Sequence, residues 1–275
     1  CAQCARDRVT VYGKTVQGNI TSMLSHARTS AKNRSEIQSR NDDSGIMTLT
    51  RQQIYVKLNT LKCFYSGMAV SLIPTAPFRA SLERLNPTMG YTDANAVIVA
   101  VLFNGRAQWS IAKVNMVKQN PHYGKSMFCV FSPPPVPILG GIGHRGRILT
   151  QKTWKSVPGF YNYVYNMMNR VCSSSKSRKL PVWNITQEWI VEQIVLQNGC
   201  CYYSDLPLVF KAGADWMASL ERLDESKGYT AKNIVWICHE WNTGGTQWSR
   251  EKIQFLKSFP PIHLETTILG KRERE

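Results

Sequence analysis

No run of 18 consecutive apolar residues occurs anywhere in this 275-residue chain, so the sequence offers no helix that could span a bilayer. Acidic side chains are scarce: 18 Asp and Glu stand against 34 Lys and Arg, for a formal charge of +16. So one-sided a balance favours a polyanion as partner, either a phosphate backbone or an anionic membrane surface. No secretory signal is visible, and the eight cysteines are scattered, with two of them adjacent (Cys200 and Cys201). Their positions do not read as a disulfide framework, so reduced thiols in a reducing, intracellular compartment are expected. The chain starts at Cys1 without an initiator methionine, which leads to the expectation of a processed form that has lost any targeting segment.

What the chain does have is a repeat. Residues 81–104 and 219–242 align without a gap and share eleven of twenty-four residues, including S-L-E-R-L, G-Y-T and a closing Asn. Upstream, Cys63-Phe64-Tyr65-Ser66 matches Cys201-Tyr202-Tyr203-Ser204 at the same offset of 138; downstream, Gln108-Trp109-Ser110 matches Gln247-Trp248-Ser249 after one inserted residue. Duplication of a small domain explains this better than a short-period solenoid.

Punctuation along the chain gives the organisation. Ile20, Met23, Leu24 and Ala27 recur at helical spacing in 16–34, and Tyr163, Tyr165, Met167, Met168 and Val171 mark a counterpart at 159–178. Short helices are expected at 50–58 and 186–196, each opening at a threonine able to cap (Thr50, Thr186). A hairpin-like segment ending in the S-L-E-R-L strand follows in each copy, then the Gly-Tyr-Thr turn and a segment closed by Asn104 or Asn242. The first unit is placed at 1–120 and the second at 158–257. A Pro/Gly-rich linker at 121–157 joins them, stiff at its prolines and flexible at its glycines, and a charged tail at 258–275 follows, whose final K-R-E-R-E at 271–275 is expected to be disordered.

C-Y-Y-S at 201–204 and C-H-E-W-N at 238–242 flank the S-L-E-R-L-D, G-Y-T and Asn233 signatures. In that combination both copies, about two-thirds of the chain, resemble the HNH, or ββα-metal, endonucleases. The two cysteine-bearing segments are similar to the paired C-x-x-C knuckles of zinc-bearing members, with Ser204 and Trp241 where the second thiols would stand. The resemblance implies an α+β fold of two tandem ββα-metal units, each preceded by helices. An active member holds one divalent metal such as Mg²⁺ through a carboxylate or amide, and a neutral His deprotonates water. By resemblance Glu221 takes the acidic position, Asn242 the metal-ligand position on the helix, and Asn233 the middle Asn that orients the base. The His position, however, holds Arg222, which stays protonated and cannot be a general base, although it can grip a phosphate oxygen. The first copy keeps Glu83, Arg84, Asn95 and Asn104, but Ala100 and Val101 replace Cys238 and His239, and 96–103 is wholly apolar.

Several residues keep two readings. His239 is a substitute base sharing a helical face with Asn242, or an ordinary half-exposed histidine. Asp224 joins Glu221 as a metal ligand, or forms a turn. Cys201 and Cys238 could give two of the four ligands a structural Zn²⁺ needs, or are simply buried thiols. Cys1 and Cys4 are a zinc half-site completed by a partner, or two reduced thiols at a frayed end. The recurring aromatics read as core anchors, and Lys113 and Lys252, after the tryptophans, as phosphate contacts or solvated lysines.

Charge and resemblance together lead to the expectation of a catalytically inactive, HNH-like nucleic-acid-binding protein that needs no cofactor. RNA is favoured over DNA, and a place among the proteins of an RNA–protein assembly such as a mitochondrial ribosome is expected, with a nuclear or cytoplasmic location as the alternative. The predicted nucleic-acid-facing residues are Arg84, Asn95, Asn104, Arg222, Asn242 and Lys252. The alternatives are an active Mg²⁺-dependent HNH endonuclease cleaving DNA through Glu221, His239 and Asn233, and a DNA-binding accessory module of a mobile element.

Overall fold

A capping threonine and an apolar stripe start the first copy of the repeat. In the computed structural model, which describes residues 11–13, 15–37, 42–105, 107–120, 159–177, 185–197, 199–242 and 248–262, helix α1 spans Val16–Ser35. Thr15 caps it, its hydroxyl accepting from the Gly18 N–H at 3.0 Å, and Lys32 and Arg34 complement the dipole of the last turn. Its buried stripe is Ile20, Met23, Leu24, Ala27 and Ala31. Helix α2, Arg51–Leu58, opens with a reciprocal capping box between Thr50 and Gln53. The described part of the chain is α+β and divides into two compact units. One is built on the residues up to Lys118 together with those from Phe255 onward, the other on most of the remainder.

In the first unit β1 (Asp43–Met47) runs parallel to the short β3 (Met89–Tyr91). The S-L-E-R segment forms β2 (Ala80–Arg84), antiparallel to β4 (Ala96–Ala100), with Ala80 opposite Ala100 and Arg84 opposite Ala96. A single 3₁₀ turn, Val101–Phe103, leads on to α3, Ile111–Gln119. The segment after Phe255 packs on α3: Asn115 and Ile262 exchange two hydrogen bonds, at 2.7 and 2.9 Å. Buried Lys118 donates to the carbonyls of Ser66 and Pro260, each at 2.7 Å.

The second unit has α4 (Phe160–Ser177), α5 (Gln187–Leu196), β5 (Ala218–Arg222), β6 (Ile234–Cys238), a 3₁₀ turn at His239–Trp241 and the first part of α6 (Arg250–Lys257), whose residues from Phe255 on belong to the first unit. Thr186 caps α5, accepting from the Trp189 N–H at 3.2 Å. Strand β5 pairs antiparallel with β6, Ala218 opposite Cys238 and Arg222 opposite Ile234, so the register of the first hairpin recurs at the offset of 138. The bridges Lys62–Ala69 and Ser71–Arg79 likewise recur as Cys200–Pro207 and Val209–Met217. Each copy bends its chain twice into the left-handed region at equivalent places. Leu61 (φ 46°) stands opposite Gly199 (φ 68°), and Gly67 (φ 69°) opposite Asp205 (φ 54°), so each copy keeps glycine at only one of the two bends.

The second core is the more aromatic. Trp236 and Trp248 are fully buried, worth roughly 5 kcal/mol each from area alone. Trp241 packs edge-on to Trp248 at 4.6 Å between ring centroids. Three features differ from the sequence expectations. S-L-E-R opens the hairpin rather than ending it. The segment before Asn242 is a strand and one 3₁₀ turn, not a longer helix. Cys200 is disulfide-bonded, whereas Cys63, Cys172, Cys201 and Cys238 are free thiols. The 121–157 linker, most of the 258–275 tail, and Cys1 and Cys4 lie outside the described residues. Among the described residues no helix is long and apolar enough to cross a membrane.

Candidate functional site

The residues that the two copies share converge on the hairpins, and there they serve the same backbone. In the first copy Asn95 accepts the Asn86 N–H at 2.8 Å and donates to the carbonyls of Asn86 (3.0 Å) and Gly90 (2.8 Å). Asn233 repeats this with Asp224 N–H (2.9 Å) and the Asp224 and Gly228 carbonyls (3.0 and 2.9 Å). Arg84 donates to the carbonyls of Pro87 and Met89, and its guanidinium lies 5.5 Å from the centroid of Tyr91. Arg222 does the same to Glu225 and Lys227, 5.2 Å from the centroid of Tyr229. Both buried Asn side chains thus spend their amide hydrogens inside the turn, and both Arg side chains clamp it. Asp224 accepts from the N–H and hydroxyl of Ser226, as Asn86 does from Thr88. The Lys227 ammonium first, then these Ser226 bonds, hold its carboxyl down at about 2, as suits the turn-forming reading.

Asn104 and Asn242 also match. Each donates to the hydroxyl two strands back (Ser81 at 2.6 Å, Ser219 at 2.9 Å) and to the next carbonyl (Leu82, Leu220, both at 2.9 Å). The Oδ1 atom is the remaining polar atom of each side chain. Glu83 and Glu221 occupy matching strand positions. Burial pushes the Glu83 carboxyl up to about 7, opposed by the Arg84 N–H at 2.9 Å and the Arg84 charge. Tyr65 and Tyr203 sit near these carboxyls, and burial first, then the carboxylate charges, raises both phenols. His239 is half-buried at the start of its 3₁₀ turn. Lys252 lies half-buried on α6, where burial lowers its ammonium.

The two knuckle-like corners have different chemistry. In the second, Cys201 and Cys238 are fully enclosed and the Cys238 N–H reaches Cys201 Sγ at 3.3 Å. Burial pushes the Cys201 thiol up, but hydrogen bonds from the side chains and N–H groups of Cys238 and Ser204 outweigh it and bring it down to about 7. Burial holds the Cys238 thiol well above its ordinary value. Trp241 Nε1 donates to Ser204 Oγ at 3.1 Å. The first corner has Cys63, Ser66, Ala100 and Phe103 instead, and the Ser66 hydroxyl is buried without a hydrogen-bond partner. Among the described residues no group of three or more His, Cys, Asp or Glu side chains converges as metal ligands would.

A site that the sequence did not single out opens in the first unit. Between α1 and β2 lies a cleft of about 410 Å³, with Asn19, His26 and Ser30 on the helix side and Arg79, Ser81 and Asn104 on the hairpin side. Tyr91 also lines it, with the Arg34 and Arg84 guanidinium groups at 5.4 and 5.5 Å from its ring centroid. Its described lining holds no carboxylate. Of the predicted residues only Asn104 lines it; Arg84 reaches it through Tyr91. The usable signal was divergence: the offset of 138 sets Arg79 against Met217. No protein-family model matches the chain, and no curated protein or solved structure matches it.

Proposed function

We propose that this chain is a non-catalytic nucleic-acid-binding protein, built on a duplicated and retired HNH-like (ββα-metal) unit and kept as a structural member of an RNA–protein assembly such as an organellar ribosome. The observation that carries the reading is the position of Arg84 and Arg222. Each stands where the resemblance calls for a general base, and each spends its guanidinium on the turn carbonyls beside it. A group that never deprotonates cannot take a proton from water. The formal charge of +16 supports a phosphate-bearing partner. RNA is the preferred class, and neither Mg²⁺ nor Zn²⁺ is required for binding.

The competing reading, a Mg²⁺-dependent endonuclease acting through Glu221, His239 and Asn242, has one observation in its favour. Asn242 is hydrogen-bonded to Ser219, which shares a strand face with Glu221 two residues on. A gel assay on supercoiled plasmid and structured RNA, with and without Mg²⁺, separates the two. The expected result is retarded, uncut nucleic acid, the same for wild type and the Glu221→Ala/Asn242→Ala variant. Metal-dependent cleavage that disappears in the variant would overturn the proposal.

A further inference from the structure

We infer that the cleft between α1 and β2 is a nucleotide site, taking one phosphate-bearing nucleoside unit with its phosphate toward Arg79 and His26. The inference rests on the nucleic-acid reading only for the class of ligand; the site itself stands on its geometry. Arg79 is exposed and spends only Nη1 on the protein, at 2.9 Å from the Pro74 carbonyl, so Nε and Nη2 remain as a donor edge for a phosphate oxygen. His26 is exposed on α1 and adds a ring nitrogen on the same cleft. With no carboxylate in the described lining, nothing there repels an anion. Asn104 offers the opposite function: both amide hydrogens are spent on Ser81 and Leu82, leaving Oδ1 to accept from a ribose hydroxyl or a base N–H. Cationic donors and an amide acceptor lining one cleft fit a nucleotide better than a bare phosphate, and a volume of about 410 Å³ lies within the ordinary range of small-molecule sites.

The second copy shows what the same place looks like when it is closed. The buried stripe of α1 (Ile20, Met23, Ala27, Ala31) matches that of α4 (Val164, Met167, Val171, Ser175) at an offset of 144, which sets Asn19 against Tyr163. Tyr163 donates across to the carbonyl of Ala218, the counterpart of Ala80 in the cleft wall, at 2.5 Å. Met217 stands in place of Arg79. The second copy keeps a cation, Arg170, in register with His26, but it lacks the Arg79 donor edge and has Tyr163 across the opening, so the site belongs to the first unit.

The test uses the full chain and a fluorescein-labelled decauridylate, with UMP and uridine as competitors and direct UMP titration by calorimetry. Arg79→Gln removes the donor edge, and Asn19→Tyr installs the closing side chain of the other copy. The expected result is UMP competing where uridine does not, with each variant weakening UMP binding about tenfold or more; Arg79→Gln melts as wild type does, and Asn19→Tyr melts lower because it loses the amide bonds to the Gly13, Thr15 and Leu72 carbonyls. UMP binding unchanged in a folded Arg79→Gln protein, or no UMP binding by wild type, overturns the inference. If decauridylate still binds in that case, the nucleic-acid reading survives without it. UMP binding that both variants weaken, beside no decauridylate binding, keeps the cleft and removes the wider reading. Should Asn19→Tyr fail to fold, Arg79→Gln decides alone, because that side chain is exposed and makes one hydrogen bond.

Discussion

The two corners built from C-F-Y-S and C-Y-Y-S share a backbone and differ in what fills it. In both, the N–H of the residue after the cysteine bonds the neighbouring strand: Phe64 to Ile98 at 2.8 Å, Tyr202 to Trp236 at 2.9 Å. In both, the cysteine N–H closes the loop on the carbonyl five residues on, Met68 or Leu206. Yet Ser204 receives the Trp241 indole, while the Ser66 hydroxyl has no hydrogen-bond partner. Backbone ladders and the Asn and Arg side chains that serve them persisted through duplication; side chains that served only each other drifted. The difference separates what the fold requires from what one copy happened to keep.

The largest effect should come from removing a shared support. Asn95→Ala and Asn233→Ala each strand a buried N–H and two carbonyls, so each should cost about 2–4 kcal/mol in urea unfolding. Comparable losses in both copies sustain the equivalence; a harmless Asn233→Ala would break it. Next comes Glu83, whose carboxyl is raised by burial from 4.5 to about 7. A raised acid favours the folded state fully below its unfolded value, and that contribution is lost as pH climbs through the folded one. Stability should therefore fall by about 3 kcal/mol in all between roughly pH 4 and pH 8 and level off above that. Glu83→Gln should flatten that slope, and an unaltered melting profile against pH would sink the assignment. The smallest effect has opposite signs in the two corners. Ser66→Ala deletes an unsatisfied hydroxyl and should be neutral or stabilising by up to about 1 kcal/mol, whereas Ser204→Ala strips the Trp241 indole of its acceptor and should cost about 1 kcal/mol. Equal signs in melting temperature would erase the contrast between the copies.

Much of the frame was legible in the sequence. The stripes of α1 and α4, the caps Thr50 and Thr186, and the offset of 138 are local patterns, and local patterns survive without a structure. The pairing of S-L-E-R with Ala96–Ala100 was not legible, because a continuous apolar run carries no period to mark it as a strand. Nor was the inward duty of Arg84 and Arg222 visible, since spacing alone does not tell a turn clamp from a phosphate grip. The cleft escaped for a third reason: His26, Arg79 and Asn104 lie far apart in the chain, and only the packing of α1 on the hairpin brings them to one place.

Lys118 carries a consequence for the order of events during synthesis. Its buried ammonium needs the Pro260 carbonyl as well as that of Ser66, and Asn115 waits in the same way for Ile262. Those partners leave the ribosome some 140 residues later. The unit that begins first is therefore finished last, and any cleavage between the two stretches while the chain is still emerging would leave it with a charge it cannot settle.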